Sequence, residues 1–172
     1  IRKSTLRIRL VALSMHSDAI NAITQGNDDL AQRVVSRDDE VDKLFSMVTR
    51  HFRRSLQDLR EVKKLGVSRD LLFEYYYVCR QFERIADHSV KMARFVSETD
   101  TEIPSSLVDQ FELYGDTVHS ILNKASDVIL TGGDIQMAQK ALVECDRLLA
   151  DVDPVNRDLY NSGDPQAAYI TG

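Results

Sequence analysis

The stretch Tyr75-Tyr-Tyr-Val-Cys-Arg-Gln-Phe-Glu-Arg-Ile-Ala-Asp-His-Ser-Val-Lys-Met-Ala-Arg94 decides the fold. Tyr75, Val78, Phe82, Ile85, Ser89, Met92 and Val96 recur at alternating steps of three and four, the period of a helix face packed on neighbouring helices. A second line runs beside it through Tyr76, Arg80, Glu83, Asp87, Val90 and Arg94. On that line Glu83 and Asp87 sit one turn apart and project the same way. Two carboxylates so placed repel one another unless a cation lies between or beside them. Of the three tyrosines, the helical turn sends one to the core and the others to the flanks.

Outward from this helix the pattern stays helical. Leu6, Leu10, Leu13, Ser17 and Ile20 predict a first helix that stops at Gly26, with Asn27 or Asp28 as the cap of the next. Val34, Val41, Phe45, Val48, Phe52, Leu56, Leu59 and Val62 predict a second helix running unbroken to Lys64, around 50 Å at the usual rise. Gly66 and Ser68 then end it and cap the stretch quoted above. The polar segment 98–106, with Pro104, marks the internal boundary. Beyond it, Leu107, Phe111, Tyr114, Val118, Ile121, Ala125 and Val128 predict another helix. Asp134 caps a last one through Met137, Ala141, Cys145, Leu148 and Val152, which Pro154 disturbs or ends soon afterwards.

With 172 residues, 43% of them hydrophobic, the chain can bury a core, and its seven glycines, three prolines and absent Trp favour helices over a sandwich or barrel. A net charge of −5 argues against a broadly basic nucleic-acid surface, although Arg2, Lys3, Arg7 and Arg9 form a local basic patch that also suits a solvated helix end. Cys79 and Cys145 lie far apart without metal-site spacing, as reduced cytosolic thiols do. No apolar run approaches the roughly 18 residues that cross a bilayer. The chain opens in helical rhythm at Ile1 and closes on a Pro- and Gly-bearing tail, which reads as a fragment trimmed at both ends.

The candidate chemistry is acidic. Asp38 interrupts the apolar seam between Val34 and Val41, and Asp42 follows one turn later. A carboxylate there needs an Arg, a metal or an opening to water, because unpartnered burial costs several kcal/mol. Asp38 and Asp42 on one helix and Glu83 and Asp87 on an antiparallel neighbour can present about four carboxylates to one groove. Oxygen-only donors suit hard cations such as Fe³⁺, Mn²⁺, Mg²⁺ or Ca²⁺, whereas zinc prefers His and Cys. The competing arrangement is a salt-bridge lattice with Arg37, Arg80 and Arg84. His16, His51, His88 and His119 read as surface histidines. Neither Glu40 nor Glu83 is followed three residues later by His, as di-iron bundle enzymes require, and no phosphate loop or activated nucleophile is present.

The two halves also repeat: Gly26-Asn-Asp-Asp-Leu-Ala-Gln-Arg33 aligns with Gly133-Asp-Ile-Gln-Met-Ala-Gln-Lys140. Phe82-Glu-Arg-Ile-Ala-Asp-His-Ser-Val-Lys-Met-Ala93 and Val35-Ser-Arg-Asp-Asp-Glu-Val-Asp-Lys-Leu44 resemble the two signature segments of the PhoU family of phosphate-uptake regulators. The resemblance is close from Leu6 to Val96 and weak beyond. It implies an all-α fold of tandem three-helix bundles, a first PhoU-like repeat at 1–98 and a second, partial one at 104–172 lacking its last helix. It implies a non-enzymatic, cytoplasmic adaptor, peripheral to the membrane, that negatively controls a phosphate ABC transporter and its sensor kinase. Other readings are an accessory protein of a non-ABC phosphate permease, a metal-binding bundle, or the regulatory part of a DNA-binding repressor.

By the same resemblance, Asp38, Asp42, Glu83 and Asp87 are the metal ligands, for a divalent or ferric cluster of Fe, Mn, Mg or Zn. The protein is expected to be a homo-oligomer, and this fragment to bind no nucleic acid directly. The basic opening is similar to archaeal members in which a small AbrB-like DNA-binding domain precedes the helices. Opposite Asp38 and Asp42 the second repeat carries Cys145 and Leu149, or Asp146 and Ala150 one register on, so at most one acid survives there.

Overall fold

A computed structural model describes residues 1–98, 103, 105–132 and 134–161. Most of the 98–106 boundary segment lies outside these residues. Six helices account for nearly all of them: α1 (Arg2–Gln25), α2 (Asp28–Gln57), α3 (Leu59–Leu65), α4 (Arg69–Glu98), α5 (Ser105–Thr131) and α6 (Ile135–Asn161). There is no strand among the described residues, so the all-α class holds. The chain divides into two compact units, Ile1–Glu112 and Leu113–Gly172, and the division falls inside α5.

The first unit is an up-down-up bundle in which α1, α2 and α4 each pack on the other two. Gly26, at φ 59°, turns α1 into α2 within two residues, a left-handed conformation that a side chain would strain. Asn27 then accepts from the Leu30 amide at 3.0 Å and caps α2. At the far end of the pair, Ser97 of α4 donates to Asp28 of α2, which fixes α2 and α4 as antiparallel. Val34, Val41 and Val48 of α2 and Tyr75, Val78, Phe82 and Ser89 of α4 are buried along this interface, as their spacing predicts. Tyr76 is half-buried and Tyr77 exposed, the expected flanks.

In α1 the buried line differs from the leucine stripe. Thr5, Ile8, Ala12, Met15 and Ala19 are fully buried, whereas Leu10 is 67% exposed. Small Thr and Ala side chains let three helices approach closely, and the larger leucine is displaced to the rim. Cys79 Sγ meets Thr5 Oγ1 at 3.4 Å inside this contact. Burial there pushes the Cys79 thiol up to about 11.

The second helix does not run unbroken to Lys64. It stops at Gln57, and Asp58 takes an extended conformation (φ −135°, ψ 115°) before α3 begins. Two local interactions stabilise the break. Asp58 accepts from the Arg60 amide at 2.9 Å, and Arg69 Nε donates at 2.8 Å to the Ser55 carbonyl, which a continuing helix would have bonded itself. Leu56 and Leu59, placed on the seam by their spacing, therefore stand 57% and 64% exposed.

In the second unit, α5 and α6 are bridged by Lys124 Nζ to Glu144 at 2.6 Å and by the Tyr114 hydroxyl, which donates to the Asp151 carbonyl at 3.2 Å. The helix α6 passes through Pro154 and continues two turns to Asn161, beyond the expected end. Proline removes an N–H and crowds the preceding turn. Pro154 takes the usual donor from the Ala150 carbonyl, and Tyr114 bonds the adjacent Asp151 carbonyl, holding α5 on that turn.

Candidate functional site

The acidic groove lies on the α2–α4 seam. Asp38 is held between Val34 and Val41, both fully buried, so the packing of α2 turns its carboxyl inward. Its Oδ1 is buried and has no hydrogen-bond partner among the described residues. Glu83 is half-buried on α4, and Asp42 and Asp87 are exposed at the rim. Burial raises the Asp38 carboxyl above the ordinary carboxylate range, and the charges of Asp42 and Asp87 raise it further; Arg94 pulls the other way. Glu83 is raised first by burial, then by Asp87 and Asp42, with Arg80 opposing.

The four acids named from the sequence thus share one electrostatic field, across two helices. Arg94 takes the place expected of Arg37 and Arg84 as the cation acting on Asp38. The reason is geometric. Arg37 turns toward α1, where it bonds Ser14 Oγ at 3.0 Å and pairs with Asp18. Arg94 stood on the same helical line as Glu83 and Asp87, so its approach was visible in the spacing.

The donor set is all oxygen, and a buried carboxylate oxygen without a partner is the kind of atom a hard cation satisfies. The donor chemistry suits a hard cation, for which Asp38 would be the innermost ligand and Asp42, Glu83 and Asp87 its neighbours. The side chains are not drawn into a ready cage: among the described residues no three His, Cys, Asp or Glu groups stand close enough to enclose an ion. His88 is exposed beside Asp87. His51, expected at the surface, is instead half-buried and meets Glu61 Oε1 at 2.7 Å, tying α3 to α2. The His16 ring is likewise tucked in, its Nδ1 buried.

A second feature lies on the closing half of α2, which none of the motifs singles out. Phe45, Thr49, Arg50, Arg53, Arg54 and Gln57 line a groove of about 380 Å³. Steps of three and four put these residues on one face, a pattern legible in retrospect as three arginines within five positions. An aromatic ladder adjoins it: Phe45 stacks on Tyr76 at 5.9 Å between centroids, and Tyr76 on Phe52 at 4.9 Å.

Among the described residues no helix is long and apolar enough to cross a membrane. Comparison with curated proteins and with solved structures returned no match. The family comparison did: residues 5–96, more than half of the chain and nearly all of α1, α2 and α4, match the PhoU domain model. The chain belongs to the PhoU family, whose general role is the regulation of phosphate transport and which is not a family of enzymes.

Proposed function

We propose that this protein is an adaptor that restrains phosphate uptake by binding a phosphate ABC transporter and a membrane sensor kinase from the cytoplasmic side. The observation that carries the reading is the family match over the same helices that hold the acidic groove. A helical surface without nucleophile or phosphate loop is suited to binding rather than turnover. Self-association is part of the proposal, supported by the exposure of Ile135, Leu142 and Leu149 on α6. The boundary of the two repeats is proposed at 98–104.

The acidic groove is proposed to take a hard cation through Asp38, Asp42, Glu83 and Asp87. Bound there, a metal would cancel the mutual repulsion of these carboxylates and lock α2 to α4, which would set the surface offered to a partner. Asp38 supplies the buried oxygen, and the two rim aspartates keep the site open to exchange with solvent.

The test has two arms. Cells lacking the protein are expected to continue rapid phosphate uptake at high external phosphate, and the tagged full chain to co-purify with the transporter's ATPase subunit. Unchanged uptake together with no transporter subunit recovered would reject the adaptor reading; recovery of a single-chain permease instead would favour the accessory role. For the groove, elemental analysis should find stoichiometric metal that is lost in Asp38→Asn. Metal-free protein whose melting temperature ignores added Mn²⁺ and Fe³⁺ would reject the cation.

A further inference from the structure

The chain is acidic overall, yet its charge is segregated. Between Arg50 and Arg69 seven Lys and Arg face two carboxylates, a local +5 in a protein of net −5. Both carboxylates are already engaged, Asp58 with Arg60 and Glu61 with His51. Arg50, Arg53, Arg54, Lys63 and Lys64 make no ion pair among the described residues. These cations occupy one end of the first unit, where α2 closes, α3 packs on α2, and Arg69 brings the opening of α4 onto Ser55.

The same end carries large apolar side chains that the core does not cover. Leu56, Leu59, Phe73 and Tyr77 are each more than half exposed. Phe73 and Tyr77 are not loose: Phe73 packs on Phe52 with centroids 5.9 Å apart, and Tyr77 on Phe73 at 6.3 Å. The ladder continues through Tyr76 to Phe45, a wall of the arginine groove. In that groove the Thr49 hydroxyl is buried and has no hydrogen-bond partner among the described residues.

We propose that this end of the bundle docks on an anionic phospholipid bilayer. Unpaired cations interleaved with exposed Leu, Phe and Tyr match the interfacial zone, where apolar side chains enter the acyl boundary and cations meet headgroup phosphates. Nucleic acid would use the cations but gives Leu56 and Leu59 nothing to bury against. Guanidinium groups hold phosphate oxygens in a bidentate fork, so Arg50, Arg53 and Arg54 form a seat for headgroups. The pre-packed aromatic ladder loses little side-chain freedom on insertion. The acidic remainder of the chain is repelled by the same surface, which orients the molecule with this end down. The proposal goes beyond the adaptor reading and does not depend on it, since no transporter is needed.

Sedimentation of the full chain with protein-free vesicles tests it, so that failure here leaves the adaptor reading intact. Binding is expected to vesicles containing phosphatidylglycerol, to be absent with phosphatidylcholine alone, and to weaken steeply with salt. The combined Arg50→Gln, Arg53→Gln and Arg54→Gln variant should lose roughly a hundredfold in partition, at about one cation's contribution each. Phe73→Ser should lose roughly tenfold at any salt concentration, since what it removes is apolar burial. Both changes are at exposed positions, and circular dichroism checks that the bundle is intact. Equal binding to both vesicle types, or to neither, overturns the proposal. So does displacement by millimolar inorganic phosphate, which would make the groove a small-anion site, or binding to polyglutamate but not to vesicles, which would make it a protein interface.

Discussion

Among the described residues the first unit buries twenty-two hydrophobic side chains, whereas the second buries two, Leu130 and Ala141. The helices themselves are alike: α2 and α4 run 30 residues, α5 and α6 run 27, and all are amphipathic. What differs is the number of partners. In the first unit α1 packs on both α2 and α4, so three apolar faces close on one another. A hairpin of two helices buries only one stripe of each, and Ile135, Leu142, Leu149 and Tyr160 remain more than half exposed. Amphipathic periodicity makes a helix, but a core needs a third layer.

The largest expected effect tests that contrast directly. Met15, fully buried, should cost about 2–5 kcal/mol when changed to Ala, by lost burial and a residual cavity. Leu142→Ala, at a position 66% exposed, should stay within about 0.5 kcal/mol. Urea unfolding of both variants checks this, and comparable losses would mean that the second unit's exposed face is covered in solution. Next in size is Pro154→Ala. Restoring the missing N–H should stabilise α6 by about 1–3 kcal/mol and slow amide exchange on both sides of residue 154. Tyr114→Phe should cost about 1 kcal/mol in the parent and as much alongside Pro154→Ala, because the restored N–H bonds the Ala150 carbonyl rather than that of Asp151. A smaller loss in the double variant would show that the proline also weakens the helix bond of the Asp151 carbonyl.

The contrast also explains what the sequence makes legible. The stretch from Tyr75 to Arg94 revealed its own buried face because large apolar residues mark it at steps of three and four. The acid pairs were legible for the same reason, each falling one turn apart. The end of α2 was not. Leu56 and Leu59 keep the period, and the break at Asp58 depends on Arg69, eleven residues on, taking the Ser55 carbonyl. Local periodicity carries no trace of such a bond. The core line of α1 was hidden by its small residues, since Thr5, Ala12 and Ala19 matter through how little space they fill. Arg37 was legible as a cation near Asp38 but not as one already claimed by Asp18, because which neighbour an arginine chooses is decided by the third helix.

The smallest effect separates the units by charge rather than by packing. In the first unit Asp38 and Glu83 both hold their protons more tightly folded than unfolded, mainly through burial. A raised carboxyl pKa contributes a destabilisation that is fully present above the folded value and is relieved as pH falls toward the unfolded one. Acidification from neutrality should therefore raise the melting temperature until other carboxylates begin to lose their partners. Asp38→Asn should remove part of that rise and stabilise the metal-free protein by about 0.2–0.5 kcal/mol at neutral pH, the size of a like-charge repulsion along a helix. Asp146→Asn, one register on from Cys145, which aligns with Asp38, has no acidic partner one turn on, where Ala150 stands, and serves as the control. Thermal melts of the parent and the two variants across pH decide the matter. A profile flattened equally by both substitutions would show the acid sensitivity to be a property of net charge rather than of the α2–α4 groove. One flattened only by Asp38→Asn, with the response to added Mn²⁺ lost in the same variant, would place the sensitivity and the cation at one site.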